Sequence, residues 1–314
     1  MNIRPFDLHD LPLLYRYRQE GLFLDSMLAF TRGTLLAPGG ALLAYFAPAT
    51  GVFTYLAKPD GENGQPLVGQ VQHAAGAAFA RLTFLAPESA LHCAVLPALF
   101  DTIAVEIGQR GAFHVLAEVQ EGSPAFLALH QAGFAIYARQ RIWRLADEPQ
   151  GQPASAEWRF CTGQDTLGVR SLYADLVPGL VQQVESLPRE RLKGMILLQR
   201  EDVRAYVELR YGPVGIWAQP FIHPDTPEVG GHLVHLLQSL PNRRGRAVYL
   251  CVRGYQSWLE PAIEQLGAEP GQSQAVMVRH LAVARKAAQT YALPSLNGKR
   301  VEPVAQINDY PKTP

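Results

Sequence analysis

The sequence predicts an α/β protein that contains two tandem copies of one unit with a mixed sheet. The chain has 314 residues, about twice the length of a typical domain. Segment 148–156 lies near the midpoint, shows no apolar periodicity and is rich in residues typical of linkers. Identical residues also recur at an offset of 134 positions: Arg110-Gly111 with Arg244-Gly245, Leu116 with Leu250, Ser123 with Ser257, Gln131 with Gln265, and Gly133 with Gly267.

The first half opens with a predicted strand and a helix whose cap is Asp10. An apolar residue recurs every four positions from Leu91 to Ile103, which is typical of an amphipathic helix. The remaining predicted elements are strands at 41–46, 52–56, 79–85 and 113–119, a short helix that ends at Gly133, and a closing strand at 135–145.

The second half repeats this order, with Asp165 as the predicted cap of its first helix. Its other predicted elements are strands at 195–199, 203–211, 214–221 and 247–252, helices at 229–240 and before Gly267, and a closing strand at 275–283. Each half therefore reads β-α-β-β-β-α-β-α-β. We place the domains at 1–147 and 157–284, the linker at 148–156 and an extended tail at 285–314.

Composition excludes several classes of function. Lysine plus arginine and aspartate plus glutamate both number 28, so the formal net charge is zero and no overall field attracts nucleic acid or an anionic membrane. Three widely spaced cysteines without a CxxC pattern argue against a disulfide framework or a zinc site. No signal peptide is readable, and the most apolar stretch is too short to span a membrane. We therefore expect a soluble, cytoplasmic protein.

Several stretches resemble the GCN5-related N-acetyltransferase (GNAT) superfamily. They are Ile3-Arg4-Pro5-Phe6-Asp7 with Asp10-Leu11-Pro12, Gly133-Phe134 before a closing strand, and Val214-Gly215-Ile216-Trp217 through His223-Pro224-Asp225. The resemblance covers nearly all of residues 1–283 as a tandem pair. It implies two acetyltransferase-like domains, each with a central mixed sheet flanked by helices, and an acetyl-CoA-dependent N-acyltransferase that acts on an amine of a small molecule or peptide.

The loop that binds the cofactor's pyrophosphate differs between the halves. In this family a glycine-rich turn with a basic residue opens a helix, where backbone N–H groups and the helix dipole favour phosphate. The first-half loop, 86–91, has no glycine or basic residue and carries Glu88, whereas the second-half loop retains Gly230-Gly231. The resemblance thus places acetyl-CoA in the second half, at Phe221, Ile222, His223, Val229, Gly230, Gly231, His232 and Ser257. The alternative is that Gly230-Gly231 only allow close packing.

The catalytic residues are less clearly marked. The tyrosine that the family uses to protonate the thiolate corresponds to Leu129 and Ile263 here, so we consider Tyr255 in its place. Glu208 is the candidate general base. Its neighbours Arg204 and Arg210 favour a solvated salt-bridged face as the alternative. The alternative for Tyr255 is that it is only an exposed tyrosine in a turn. Glu118 is a second possible base, and its alternative is a strand carboxylate that faces solvent.

Two hypotheses of function follow. In the first, the second half binds acetyl-CoA and the first half is degenerate; in the second, both halves are catalytically silent and serve as a binding or scaffold module. His232 and His235 lack a third ligand with a motif, so we expect no metal site and place them on a helix surface. The glycine-rich stretch 59–64 is predicted to be a hairpin loop. The sequence specifies neither the acceptor nor the oligomeric state.

Overall fold

A computed structural model describes residues 2–33, 36–59, 65–155, 157–187 and 192–281. The predicted tail at 285–314 lies outside the described residues, as does most of the predicted hairpin loop at 59–64.

The first half contains seven strands and five helices among the described residues. They are β1 (Asn2–Pro5), α1 (Leu11–Tyr17), β2 (Leu22–Phe23), α2 (Ser26–Arg32), α3 (Leu36–Phe46), β3 (Val52–Lys58), β4 (Leu67–Gln72), β5 (Phe79–Ala86), α4 (Val95–Gln109), β6 (His114–Gln120), α5 (Pro124–Gln131) and β7 (Ala135–Leu145).

The second half has the same general order with fewer elements. Its described elements are β8 (Trp158–Phe160), α6 (Thr166–Leu176), α7 (Gly179–Val184), β9 (Gly194–Gln199), β10 (Asp202–Tyr211), β11 (Gly215–Ile222), α8 (Val229–Gln238), β12 (Ala247–Arg253), α9 (Glu260–Gln265) and β13 (Glu269–His280).

The strand predicted at 41–46 is wrong, because these residues form the second part of helix α3. Ala41-Leu42-Leu43-Ala44 are strong helix formers and include no β-branched residue. Ala41 is buried in a small core with Leu14 and Leu56, so the helix is also held by packing. The strand that follows β3 in the sheet, β4, was missed.

The opening turns of the two halves are alike in atomic detail. Arg4 donates two hydrogen bonds of 2.7 Å to Asp10, and Arg159 donates bonds of 2.8 and 2.6 Å to Asp165. The predicted caps are corrected in one respect. Each carboxylate accepts from the N–H three residues before it and closes a 3-10 turn, and neither caps the following helix through its side chain.

The described strands form a mixed sheet, as predicted, but one sheet runs through both halves, whereas a separate sheet in each half was predicted. The order is β1-β3-β4-β5-β6-β13-β7-β12-β11-β10-β9-β8, and β2 pairs with β5. The pairs β5 with β6 and β11 with β12 are parallel, and the other neighbours are antiparallel. Helices cover both sheet regions, which matches the predicted mixed sheet flanked by helices.

The two halves exchange their closing strands. β13, from the second half, lies between β6 and β7 of the first half, and β7 pairs in turn with β12 of the second half. The hydrophobic cores follow the exchange. Met277 of β13 is buried in the core of the first half, and Trp143 of β7 is buried in that of the second. Residues Met1–Val283 consequently form one compact unit.

Among the described residues, no single helix is long and apolar enough to cross a bilayer. The pair α2 and α3 meets the length and composition requirements only when the two helices are taken together across a bend of 93°.

Candidate functional site

In each half, the two parallel strands pair only at their amino-terminal ends. β5 and β6 pair up to Arg81 and Leu116, and β11 and β12 pair up to Ala218 and Leu250. The strands continue beyond these positions and diverge. We call the space between the diverging ends the first gap in the first half and the second gap in the second half. Backbone groups that face such a gap are free to pair with an inserted chain.

The first gap is filled by backbone from the same half. β2 pairs with β5 in the gap. The N–H of Leu24 donates to the C=O of Thr83 on β5 at 3.0 Å, and the C=O of Leu24 accepts from the N–H of Glu118 on β6 at 2.8 Å. Because the segment is bonded to both strands, the first half has no opening there for a ligand.

The second gap holds the side chain of Gln256. Its Oε1 accepts from the N–H of Ile222 at 3.0 Å, and its Nε2 donates to the C=O of Pro220 at 2.9 Å. Gln256 is 2% exposed and lies in the 3-10 turn Gly254–Leu259 that follows β12. The backbone groups of β11 at this gap are thus bonded to a side-chain amide and not to another strand.

The predicted pyrophosphate loop follows β11. Glu228 caps α8 in the left-handed region, at φ 49°, without a side-chain hydrogen bond. Gly230 has open space around it, but a Cβ on Gly231 would lie 3.1 Å from Ala154 of the linker. The N–H of Ala154 also donates to the C=O of Gly231 at 3.0 Å. Gly231 therefore packs against the linker, while Gly230 faces the open side of the helix start.

The other predicted cofactor residues have varied settings. The N–H of His223 donates to the C=O of Arg204 at 2.9 Å, Val229 packs on the core, and Ser257 is exposed. His232 is 5% exposed, which corrects its predicted place on the helix surface. Burial lowers the pKa of His232, so its imidazole is neutral at pH 7.

A cavity of about 190 Å³ lies beside the second gap and brings together three predicted residues: Glu208, Phe221 and Tyr255. Arg210 donates to Glu208 at 2.5 Å. The face of β10 that carries Glu208 is covered by α6, and its neighbour Tyr206 is 2% exposed. The predicted salt bridge on this face is present, but the face is only partly solvated, since the Glu208 side chain is 20% exposed. Glu208 therefore lies in a partly enclosed, ion-paired setting.

Tyr255 is half-buried and packs at the edge of the core under α6, so it is not the exposed turn tyrosine of the alternative prediction. Burial raises the pKa of Tyr255 and outweighs the opposing effect of Arg253. The phenol is therefore protonated at neutral pH and has a proton to donate.

A buried ionic network joins the two halves at the cavity. Arg81 donates to Glu185 at 2.6 Å and to Glu118 at 3.3 Å. Arg253 donates to the other oxygen of Glu185 at 2.8 Å. Glu118 also accepts from the side chain of Gln140 at 2.9 Å. The prediction that Glu118 faces solvent is wrong, because it is 4% exposed.

The residues that sequence reasoning missed are Arg81, Glu185, Arg253 and Gln256. Arg81 and Glu185 lie 104 positions apart, so no local motif connects them. A single charged residue inside an apolar strand was the available signal. Both Arg81 in β5 and Arg253 at the end of β12 show it.

Asp25 is a buried acid at the border of this network. Its Oδ1 accepts from the N–H of Leu28 at 3.0 Å and caps α2. Its Oδ2 has no hydrogen-bond partner among the described residues and lies 3.9 Å from Arg81. Burial raises the pKa of Asp25 to about 6, in spite of Arg81. The folded protein thus binds this proton more tightly than the unfolded chain does.

We expect Asp25→Asn to stabilise the protein at pH 8 by up to about 3 kcal/mol, which corresponds to the rise of the pKa from 3.8 to about 6. In the wild type, the free energy of unfolding should fall as pH rises from about 4 to 6, because the buried acid ionises. Asparagine cannot ionise and still caps the helix. Urea unfolding at pH 4 and pH 8 tests this. If the variant is less stable than the wild type at pH 8, the ionised Asp25 stabilises the fold through Arg81, and the prediction is wrong.

Within the described ranges, no group of three or more His, Cys, Asp or Glu side chains could hold a metal ion. Cys161 and Cys251 are buried and Cys93 is half-buried, and none of the three forms a disulfide. Burial raises the pKa of Cys251 to about 12, so it is not a thiolate at neutral pH.

No protein-family model matches the sequence, and no curated protein matches it significantly. Solved structures do match. A GCN5-related N-acetyltransferase from Sphaerobacter thermophilus matches with a TM-score of 0.54 and 11% identity, over 89% of this chain and 95% of that one. A tandem GNAT protein from the clavulanic acid biosynthesis pathway, solved without AcCoA, matches with a TM-score of 0.52 and 14% identity, over 89% and 98%. At these identities the likeness shows the fold.

Proposed function

We propose that this chain, which has the tandem GNAT fold, is an acyltransferase that transfers an acetyl group from acetyl-CoA to an amine of a small molecule or peptide. We place the site in the second half. The observation that supports this placement is the divergence of β11 and β12 beside a cavity lined by Glu208 and Tyr255.

The groups at the second gap suit acetyl-CoA. The two groups held by Gln256, the N–H of Ile222 and the C=O of Pro220, suit an amide-containing arm as well as they suit a glutamine side chain. Gly230 has the open space that a phosphate would need at the start of α8. Bound acetyl-CoA would supply the activated acetyl group. Ile222, Phe221 and Gly230 are the residues that would hold it.

The proton transfers would then fall to two side chains of the cavity. Glu208 would accept a proton from the amine, with Arg210 holding the carboxylate in place at 2.5 Å. Tyr255 would donate a proton to the departing thiolate, because burial keeps its phenol protonated. Both residues line the same cavity, as this division of roles requires.

A catalytically silent binding module is the second candidate function, and specific observations favour it. Gln256 occupies the second gap with two good hydrogen bonds. Asp225 and Glu228 place negative charge in the loop where a pyrophosphate would bind. In this case the fold would be retained for the cavity between the halves, and the gap would stay closed.

Titration calorimetry with acetyl-CoA, on the wild type and Gln256→Ala, separates the two functions. We expect saturable micromolar binding by the wild type. We expect binding about thirtyfold tighter by the variant, because two competing hydrogen bonds of about 1 kcal/mol each are removed. Gly230→Glu should abolish binding, since it adds a negative charge in open space at the helix start.

Gln265→Ala is the matched control, because Gln265 is exposed on α9 in the same half. It should bind acetyl-CoA as the wild type does. Thermal melting of each variant checks that the fold is intact. If neither the wild type nor Gln256→Ala binds acetyl-CoA while both are folded, the acyltransferase proposal fails and the silent module remains.

A further inference from the structure

The cavity beside the second gap carries balanced charge. Three arginines and three glutamates line it: Arg81, Arg210, Arg253, Glu118, Glu185 and Glu208. These six side chains carry one positive charge for each negative charge, and Asp25, 3.9 Å from Arg81, adds a further negative charge when it ionises above a pKa of about 6. A zwitterion brings no net charge into this poorly solvated space, whereas a ligand with a single charge does.

The hydrogen bonds of the two central arginines differ. Arg81 donates to Glu185 and Glu118 and lies within 3.9 Å of Asp25. Arg253 donates to Glu185 through Nη2, but its Nε and Nη1 have no hydrogen-bond partner among the described residues. The Arg253 side chain is only 4% exposed, so water does not readily satisfy these donors. Buried guanidinium donors without a partner are costly, and a carboxylate oxygen is the acceptor that binds them most strongly.

Glu208 on β10 offers acceptor sites for a positively charged group. A glutamate carboxylate has about four acceptor sites, and the bond from Arg210 to Oε1 uses one of them. Glu208 can therefore also accept from an ammonium group. Tyr173 and Phe221 pack together at a centroid distance of 5.5 Å and add aromatic walls, which favour a cation nearby and apolar atoms between the two charges.

We infer that this cavity binds a small amino acid-like zwitterion, with its carboxylate at Arg253 and its amine at Glu208. The inference rests on the proposed function only in naming this ligand as the acetyl acceptor. The cavity of about 190 Å³ limits the ligand to a small molecule, so a long peptide would have to present only one terminal residue.

Thermal-shift screening of the twenty amino acids, without acetyl-CoA, tests the inference, followed by calorimetry of the best binder. The methyl ester and the decarboxylated amine of that amino acid should bind at least tenfold more weakly, because each lacks the carboxylate. The matching α-hydroxy acid, which lacks the amine, should also lose at least tenfold. These comparisons use the wild-type protein and need no variant to fold.

Arg253→Gln adds a test on the protein side. It should weaken the amino acid at least tenfold and leave the binding of the ester unchanged. Arg139→Gln, which removes an exposed arginine outside the cavity, is the matched control and should bind like the wild type. If no amino acid binds, or if the ester binds as tightly as the acid, the inference is wrong.

The outcomes also separate this inference from the proposed function. Amino acid binding without any acetyl-CoA binding would support the inference and refute the acyltransferase. Acetyl transfer to simple amines, with no preference for those that carry a carboxylate, would support the acyltransferase and refute the inference.

Discussion

Residues 1–147, produced without the rest of the chain, are expected not to form a stable monomer. This fragment lacks β13, which pairs with both β6 and β7 and fills the space between them. Ala275 and Met277 of that strand belong to the core of the first half and are fully buried. The loss of a central strand on both sides should exceed the 5–15 kcal/mol by which domains of this size are usually stable.

Circular dichroism, thermal melting and light scattering on the fragment test this expectation. Co-expression with residues 148–284 is the control, because the two pieces together supply every strand and should form a soluble complex. The predicted domain boundaries remain a prediction until this is done. A monomeric fragment with cooperative unfolding would contradict us and would mean that the first half closes its sheet without β13.

The second large effect is expected for Glu185→Gln. Glu185 is the shared partner of Arg81 and Arg253, and the carboxylate side chain is 12% exposed. Burial acts to raise the pKa of Glu185, but the two arginines outweigh it and hold the pKa below its usual value. Removal of this charge leaves two buried cations with one fewer counter-ion. We expect a loss of about 3–5 kcal/mol in the free energy of unfolding at pH 7.

Glu121→Gln is the matched control, since it breaks an ion pair of 2.6 Å with the largely exposed Arg139. Its effect should stay below about 1 kcal/mol. Urea unfolding of both variants gives the comparison. Because the ionised form of Glu185 is the stabilising one, the advantage of the wild type should disappear as pH falls below about 4. Equal stability of the two variants at pH 7 would mean that the network adds nothing.

Local patterns predicted most of the strands and the long helices. The apolar spacing from Leu91 to Ile103 corresponds to α4, although the helix begins at Val95. The alternation around Glu208 corresponds to β10. Such elements follow from periodicity because one face must be buried. The failure at 41–46 has the same root, since a short apolar run without a clear period fits a buried helix as well as a strand.

The site was less accessible to sequence reasoning. The sequence suggested Glu208, Phe221 and Tyr255, and the structure places all three at one cavity. The exchange of β7 and β13 depends on long-range pairing, which no local signal encodes. Gln256 is likewise one polar residue in a turn, and its role as a partner of Ile222 exists only after β11 and β12 diverge.

The strand exchange also delays completion of the first-half sheet during synthesis. Once β6 has been made, the ribosome must add another 160 residues before β13 is complete. At about 5–20 residues per second this takes about 8–32 s. For that time the nascent first half carries an open sheet edge with apolar strand residues beside it, which is a template for mispairing. We therefore expect chaperones to bind the nascent chain during translation. We also expect a premature stop near residue 268 to lower the yield, because β13 is then missing.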